Sequence, residues 1–390
     1  MAGNALSLTG TWMQRIACSW LVWDWTGSAF WLGILAAADL LPVVVTGPFA
    51  GVAADRWDRL RQNMLAQIAS AFLAIGMAVL VAVNILNLSL LLLFVALQGI
   101  FSAAVQPARM AMVQQMVARK DMGVAVALNS VNVNLARLTG PAAAGAMIVQ
   151  MDIIWVFILN ALVTFIFVFI LGQIRLMPRE IALSNGSFFK QMVEGFKYIL
   201  QAPTIRMVML VLLFGGIVVR SVLELVPAVA AKTFADAPTG LAVLTGAAAV
   251  GAVISGLTVR SGNSRQLLSS VMTWWGIGAI ASVGLVYAPH ALLAMIAAMV
   301  VGASITRGLV STQTFVQLAT PDELRGRTLS LHGLIARASP AIGALAIGYA
   351  ADMVGLAFSV TTASGLLIVY LATAFTIIRR RNRRVRCLKA

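Results

Sequence analysis

Apolar stretches long enough to cross a bilayer recur along this whole sequence, and no other feature constrains its fold as much. They fall near residues 4–24, 30–54, 63–83, 88–108, 123–149 and 153–173, and resume near 207–229, 239–259, 267–287, 291–316, 328–350 and 355–378. A spanning helix takes about 20 apolar residues, so twelve occupy roughly 240. The rest of the 390 residues suffices for short loops and a tail, with no room for an added soluble domain. Lipid offers no partner to a backbone amide, so each stretch is expected to be a helix. Turn residues separate them at Thr26-Gly27-Ser28, at Asn84 with Asn87, and at Ala288-Pro289-His290. Only 11% of residues are charged, against about 25% in a soluble domain. That scarcity fits a bilayer, where a charge at the centre costs at least about 2.5–3.5 kcal/mol.

The net charge of +15 invites a nucleic-acid reading, but its placement argues against one. Arg56, Arg59 and Arg61, then Arg119 and Lys120, then Arg175, Arg179, Lys190, Lys197 and Arg206 lie in even-numbered connections. Arg260 and Arg265, then Arg325 and Arg327, continue the series, while the odd-numbered connections hold only Lys232. Positive residues favour the cytoplasmic side, so both termini are expected there. The tail Arg379-Arg380-Arg381-Asn382-Arg383-Arg384 reads as an anchor against anionic lipid. Cys18 and Cys387 supply no disulfide framework, and His290 and His332 stand alone, without metal-ligand spacing. No cofactor is expected. The first apolar run lacks a charged leading segment and reads as an uncleaved helix rather than a signal peptide.

The chain divides into two halves, 1–173 and 207–378, followed by the basic tail 379–390. Between the halves, 174–206 is the longest polar stretch. Its Lys190, Glu194 and Lys197, beside Phe189, Phe196 and Tyr198, predict an amphipathic helix on the membrane surface. The halves echo one another. Val117 to Asp121, followed by Ala136-Arg137-Leu138-Thr139-Gly140-Pro141, parallels Ala319 to Glu323, followed by Ala336-Arg337-Ala338-Ser339-Pro340. Two like halves are the signature of a duplicated transporter fold with its solute site between them near the midplane.

Between the second and third spans runs Gly51-Val52-Ala53-Ala54-Asp55-Arg56-Trp57-Asp58-Arg59-Leu60-Arg61. Glycine allows close helix packing, Asp55 can cap a neighbouring helix, and Arg56, Arg59 and Arg61 hold the loop at an anionic surface. This string resembles the loop signature of the major facilitator superfamily, and the resemblance covers essentially the whole chain. It implies a twelve-helix fold, gating by this loop and a functional monomer. The matching loop of the second half is degenerate, with Arg260 where Asp55 stands in the first. In the fifth span Gly140-Pro141, followed by Ala144-Gly145, resembles the Gly-Pro motif of the superfamily's exporters, with Ala144 replacing its first following glycine. Proline removes a backbone hydrogen bond and bends the helix. Gln98-Gly99 resembles a fourth-span motif that also carries an arginine, here replaced by Val95, so coupling schemes that use that arginine do not carry over. Leu41-Pro42, Ala136-Arg137, Arg220 ahead of Pro227, and Leu324-Arg325-Gly326-Arg327 resemble the branch holding the enterobactin exporter and macrolide-efflux proteins.

Ionisable residues deep in a span are functional candidates by default. Arg15 and Asp39 lie about eleven and twelve residues either side of the Gly27 turn, roughly 16–18 Å below it at 1.5 Å per residue, so they can pair. Arg220 and Glu224 are four apart and share a helix face. Arg137, Arg307 and Arg337 are also deep. Five arginines against two acids suit an anionic solute. Asp39 and Glu224 are the candidate proton carriers, because burial and a nearby arginine push a carboxylate's proton affinity in opposite directions.

These readings predict secondary active transport, with protons as coupling ion and export of a small amphiphilic or anionic compound, siderophore- or drug-like. The expected location is the bacterial inner membrane. Fold does not fix function, so an importer or lysolipid flippase stays open, as does a non-transporting receptor or scaffold. The deep charges argue against the scaffold. With no phosphate-binding loop and no catalytic cluster, an enzyme is not expected.

Overall fold

The structure is a computed structural model that describes residues 2–56, 58–116, 122–174, 188–258 and 263–387. The echo segment Val117–Asp121 and most of the polar linker lie outside it. Inside it, the side chains of Gly51, Asp55 and Arg56 and of the tail from residue 379 are likewise undescribed. The first set of helices is α1 (Ala2–Thr26), α2 (Ala29–Arg56), α3 (Arg59–Ala82), α4 (Leu88–Met116), α5 (Met122–Gln150) and α6 (Ile154–Gly172). After α7 (Phe188–Gln201), the second set opens on a broken rod. It comprises α8 (Pro203–Gly215), a π-helical turn over Gly216–Arg220, α9 (Ser221–Glu224) and α10 (Val226–Thr233). Then follow α11 (Ala237–Leu257), α12 (Ser264–Val286), α13 (Ala291–Ala319), α14 (Asp322–Val354) and α15 (Leu356–Cys387).

Among the described residues ten segments are long and apolar enough to cross a membrane, with Pro203–Glu224 counted as one. With α1 and α5, of 25 and 29 residues, they make twelve rods. Those two are more polar, carrying Gln14 and Arg15, or Asn132 and Arg137, which fits helices that line an interior. The seventh rod differs from expectation: it starts at Pro203 and breaks at Leu225, where the backbone leaves helical geometry. Prolines set both boundaries. Pro203 and Pro227 each lack an N–H and sit in the first helical positions of α8 and α10, where that loss is harmless.

Among the described residues the two sets pack together at one end, the sealed end, and form separate clusters at the other, the parted end. The sealed end carries the α1–α2 turn. One hydrophobic cluster there draws on both sets, including Val22, Leu32 and Phe157 from the first and Leu225, Leu244 and Ile347 from the second. At the opposite end, which carries the α2–α3 connection, the described clusters separate. One lies wholly in the second set around Trp275 and Phe315, and the other wholly in the first around Met112, Phe167 and Leu171. Backbone proximity fixes the sealed contacts: α2 packs on α14 and α5 on α11. A Cβ on Gly33 of α2 would lie 2.5 Å from the Ala344 carbonyl of α14, so glycine is what admits that approach.

Helix ends are capped locally and, in one case, across the bundle. Asp58 accepts from the Leu60 and Arg61 amides at the start of α3, and Asn263 forms a reciprocal capping box with Gln266. The N-terminus of α2 is capped from the other half. Asp352 near the end of α14 accepts from the Ala29 amide at 2.9 Å, from the Ser28 hydroxyl and, weakly, from the Phe30 amide. Helix α7 docks on α14, with Arg327 Nη1 donating to Glu194 Oε2 at 2.5 Å. Its Val193, Phe196 and Leu200 stay exposed, and as positions i, i+3 and i+7 they form one apolar stripe.

Candidate functional site

Arg15 sits midway along α1 and binds two carboxylates at once. Its Nη2 donates to both oxygens of Glu224 at 2.9 Å and lies 3.3 Å from Asp39 Oδ2. Asp39 belongs to α2, so the pair expected from depth alone is present. Glu224 belongs to the other half, 209 residues away. Its partner is Arg15 rather than Arg220, the neighbour that helical spacing picks out. The three side chains keep 20–29% of their exposure, so the cluster lies beneath the sealed end yet within reach of water.

Arg220 ends the π-helical turn and donates through Nη1 to the Ala336 carbonyl of α14. A π turn inserts one extra residue per turn, and such turns concentrate at functional positions. Around Arg220 lie Glu224, Arg137, Arg15 and Arg337, all close enough to act on it electrostatically. The Trp12 ring carries two guanidinium groups, those of Arg15 and Arg137, each 5.3 Å from its centroid. Cations at that distance over an indole are attracted to its face. Arg137 and Arg337 lie at mid-helix in α5 and α14, are exposed, and make no salt bridge among the described residues. An exposed arginine at that depth is costly against lipid; both lie near Arg220, where the two halves meet.

Arg307, expected with this group, lies elsewhere. It donates to the Ser255 and Thr258 carbonyls at 3.2 and 2.7 Å and to Thr258 Oγ1 at 2.6 Å, with its guanidinium 5.2 Å from the Trp274 ring. It therefore caps the C-terminal carbonyls of α11, a favourable place for a cation.

In the loop motif, Arg61 lies exposed, 3.9 Å from Asp58, and Arg59 is half-buried. The helix-five residues serve close packing. A Cβ on Gly140 would lie 2.6 Å from that of Trp12, and one on Gly145 would collide with Ala242 of α11 across the halves. Pro141 between them is buried within α5. Sequence reasoning missed a buried polar link in the first half: Asn160 Nδ2 donates to Gln14 Oε1 at 2.5 Å, tying α6 to α1. An asparagine inside an otherwise apolar sixth span was its only signal. Asp352 carries no such signal, since in the sequence it is an ordinary acid at a helix end.

Twelve long helices in two sets, ten of them long and apolar enough to span among the described residues, with a charged cluster joining the sets, fit a polytopic membrane transporter. The chain belongs to the major facilitator superfamily, in the family described as transmembrane secretion effectors, whose model matches residues 2–385. It is 24% identical over 397 residues to the staphyloferrin A transporter of Staphylococcus aureus, covering 97% of this chain and 95% of that one. It is 26% identical over 373 residues to the multidrug efflux pump Tap of Mycolicibacterium fortuitum, covering 91% and 87%. Over 385 residues it is 24% identical to macrolide efflux protein A of Streptococcus pyogenes, covering 97% and 94%. Among solved structures, a nucleoside transporter superposes with a TM-score of 0.79 at 11% identity, covering 96% of this chain and 97% of that one. A D-xylose–proton symporter gives 0.73 at 13% identity, covering 95% of each. These likenesses to solved structures carry the fold alone.

Proposed function

We propose that this transporter is a proton-coupled exporter of a small amphiphilic or anionic compound, siderophore- or drug-like, in the bacterial inner membrane. Its halves, 1–173 and 207–378, rock about the central cavity in alternating access, and each chain works as a monomer. The positive-inside rule supports cytoplasmic termini, so the parted end faces the cytoplasm and the structure is the inward-facing state. The loop Gly51, Asp55, Arg56, Arg59 and Arg61 gates that side, and the Gly140–Pro141–Gly145 segment lets α5 move against α1 and α11. Relatives named as a multidrug efflux pump and a macrolide efflux protein support the export direction.

The observation that carries the reading is the Arg15–Asp39–Glu224 cluster, because it joins the halves through one guanidinium shared by two carboxylates. A proton arriving on either acid weakens its hold on Arg15, and separation of the halves leaves a carboxylate without its partner. Proton occupancy and conformation are thereby linked.

The test uses purified protein in liposomes with an imposed proton gradient. Transport of staphyloferrin, a macrolide and a lysolipid is followed alongside a lumenal pH dye. Transport of at least one should move protons in the opposite direction and collapse in both Asp39→Asn and Glu224→Gln. Unchanged activity in both variants removes these residues from the mechanism.

A further inference from the structure

The cavity's charges do not balance. Arg15 is matched by Glu224 and Asp39, and Arg220 is held by the Ala336 carbonyl beside Glu224. Four guanidinium groups thus surround two carboxylates, with Arg137 and Arg337 left over. They occupy equivalent places in the two halves: Arg137 precedes Pro141 of α5 by four residues, and Arg337 precedes Pro340 of α14 by three. Both are exposed at mid-helix, and one is braced by the Trp12 ring.

We propose that the solute carries at least two separated carboxylates, one bound by Arg137 and the other by Arg337, so that it bridges the halves. This rests on the reading of the central cavity as the transport site. A planar guanidinium fork that makes no salt bridge among the described residues suits a carboxylate, which it binds through two parallel hydrogen bonds. A single acid group would neutralise one arginine and leave the charge of the other unmatched. Two groups on one molecule satisfy both, and attachment of the first raises the effective concentration of the second. Because the arginines stand on opposite halves, occupancy by such a molecule also favours one particular separation of the halves.

The test is equilibrium binding to the full-length protein in lipid nanodiscs, by titration calorimetry at low ionic strength. The probes are the α,ω-dicarboxylates from malonate to suberate, their dimethyl esters, acetate and inorganic phosphate. The expected result is an optimum chain length that binds about tenfold or more tighter than acetate, phosphate or its own diester. That preference should be lost in both Arg137→Gln and Arg337→Gln. Arg137→Lys and Arg337→Lys, which keep the charge but lose the fork, should retain part of it and show that the cavity remains folded. The inference is overturned if no dicarboxylate outbinds acetate, if phosphate outbinds them all, or if affinity ignores both arginines. The proton-driven liposome assay separates the two claims. Coupled transport lost in the Asp39 and Glu224 variants, without dicarboxylate binding, sinks this inference alone. Dicarboxylate binding without proton movement sinks the coupling alone.

Discussion

Replacing Asp352 by alanine should release the sealed end of the bundle without unfolding it. The carboxylate accepts from the Ala29 amide at 2.9 Å and from the Ser28 hydroxyl, while the Phe30 contact, at 3.4 Å, adds little. Losing a helix N-cap costs about 1 kcal/mol, within a range of about 0.5–2. The missing negative charge at the α2 N-terminus adds about 0.3–1 kcal/mol. Asp352 is exposed, so the lower part of these ranges applies. A total near 1.4 kcal/mol changes a two-state ratio about tenfold. Since Asp352 and α2 belong to different halves, the loss falls on the equilibrium between sealed and parted arrangements. Helix α2 keeps a weak local cap, the Trp31 amide donating to Ser28 Oγ at 3.4 Å, so thermal stability should change little.

The assay is a spin-label distance measurement between Gln150→Cys at the end of α5 and His290→Cys at the start of α13, in nanodiscs, with Cys18 and Cys387 replaced by serine. Both labelled positions are exposed. The longer-distance population should grow about tenfold in Asp352→Ala. Asp352→Asn, which keeps an acceptor, should fall between. Distance distributions that superimpose on those of the unsubstituted protein would refute the cap as a link between the halves.

Two further substitutions probe the packing. Gly145→Leu puts a side chain where even a Cβ collides with Ala242; overpacking of this kind costs about 1–3 kcal/mol. The same spin-label pair should show the sealed state depleted, and liposome transport should fall in step. Asn160→Ala leaves the buried Gln14 amide without its partner, and an unsatisfied buried group costs about 1–3 kcal/mol. A detergent or denaturant unfolding series should show that loss, and the double variant Gln14→Leu/Asn160→Leu should recover part of it.

Much of the site was legible because depth is a one-dimensional quantity. Counting residues from the Gly27 turn at a fixed rise puts Arg15 and Asp39 at one level, and they are in contact. The same counting treats Arg307 as deep, yet its side chain turns to the end of α11. Depth does not give azimuth. These helices are apolar nearly all round, as expected where lipid and protein are both apolar neighbours, so periodicity carries little sign of which face looks inward. Glu224 shows the same limit. Its spacing from Arg220 predicts a pair within one helix, whereas the π turn and the break at Leu225 go with a pairing to Arg15 of the other half.

The sequence by itself determined the membrane, the helical class, the twelve spans and the duplicated plan. Those follow from composition, length and the requirement that backbone amides be satisfied locally. Tertiary structure alone decided which end is sealed, which carboxylates share Arg15, that Asp352 caps a helix of the opposite half, and that Arg137 and Arg337 make no salt bridge among the described residues. Each depends on rotation and approach of neighbouring helices, set by contacts such as Gly33 on Ala344 and Gly145 on Ala242, which connect residues 311 and 97 positions apart.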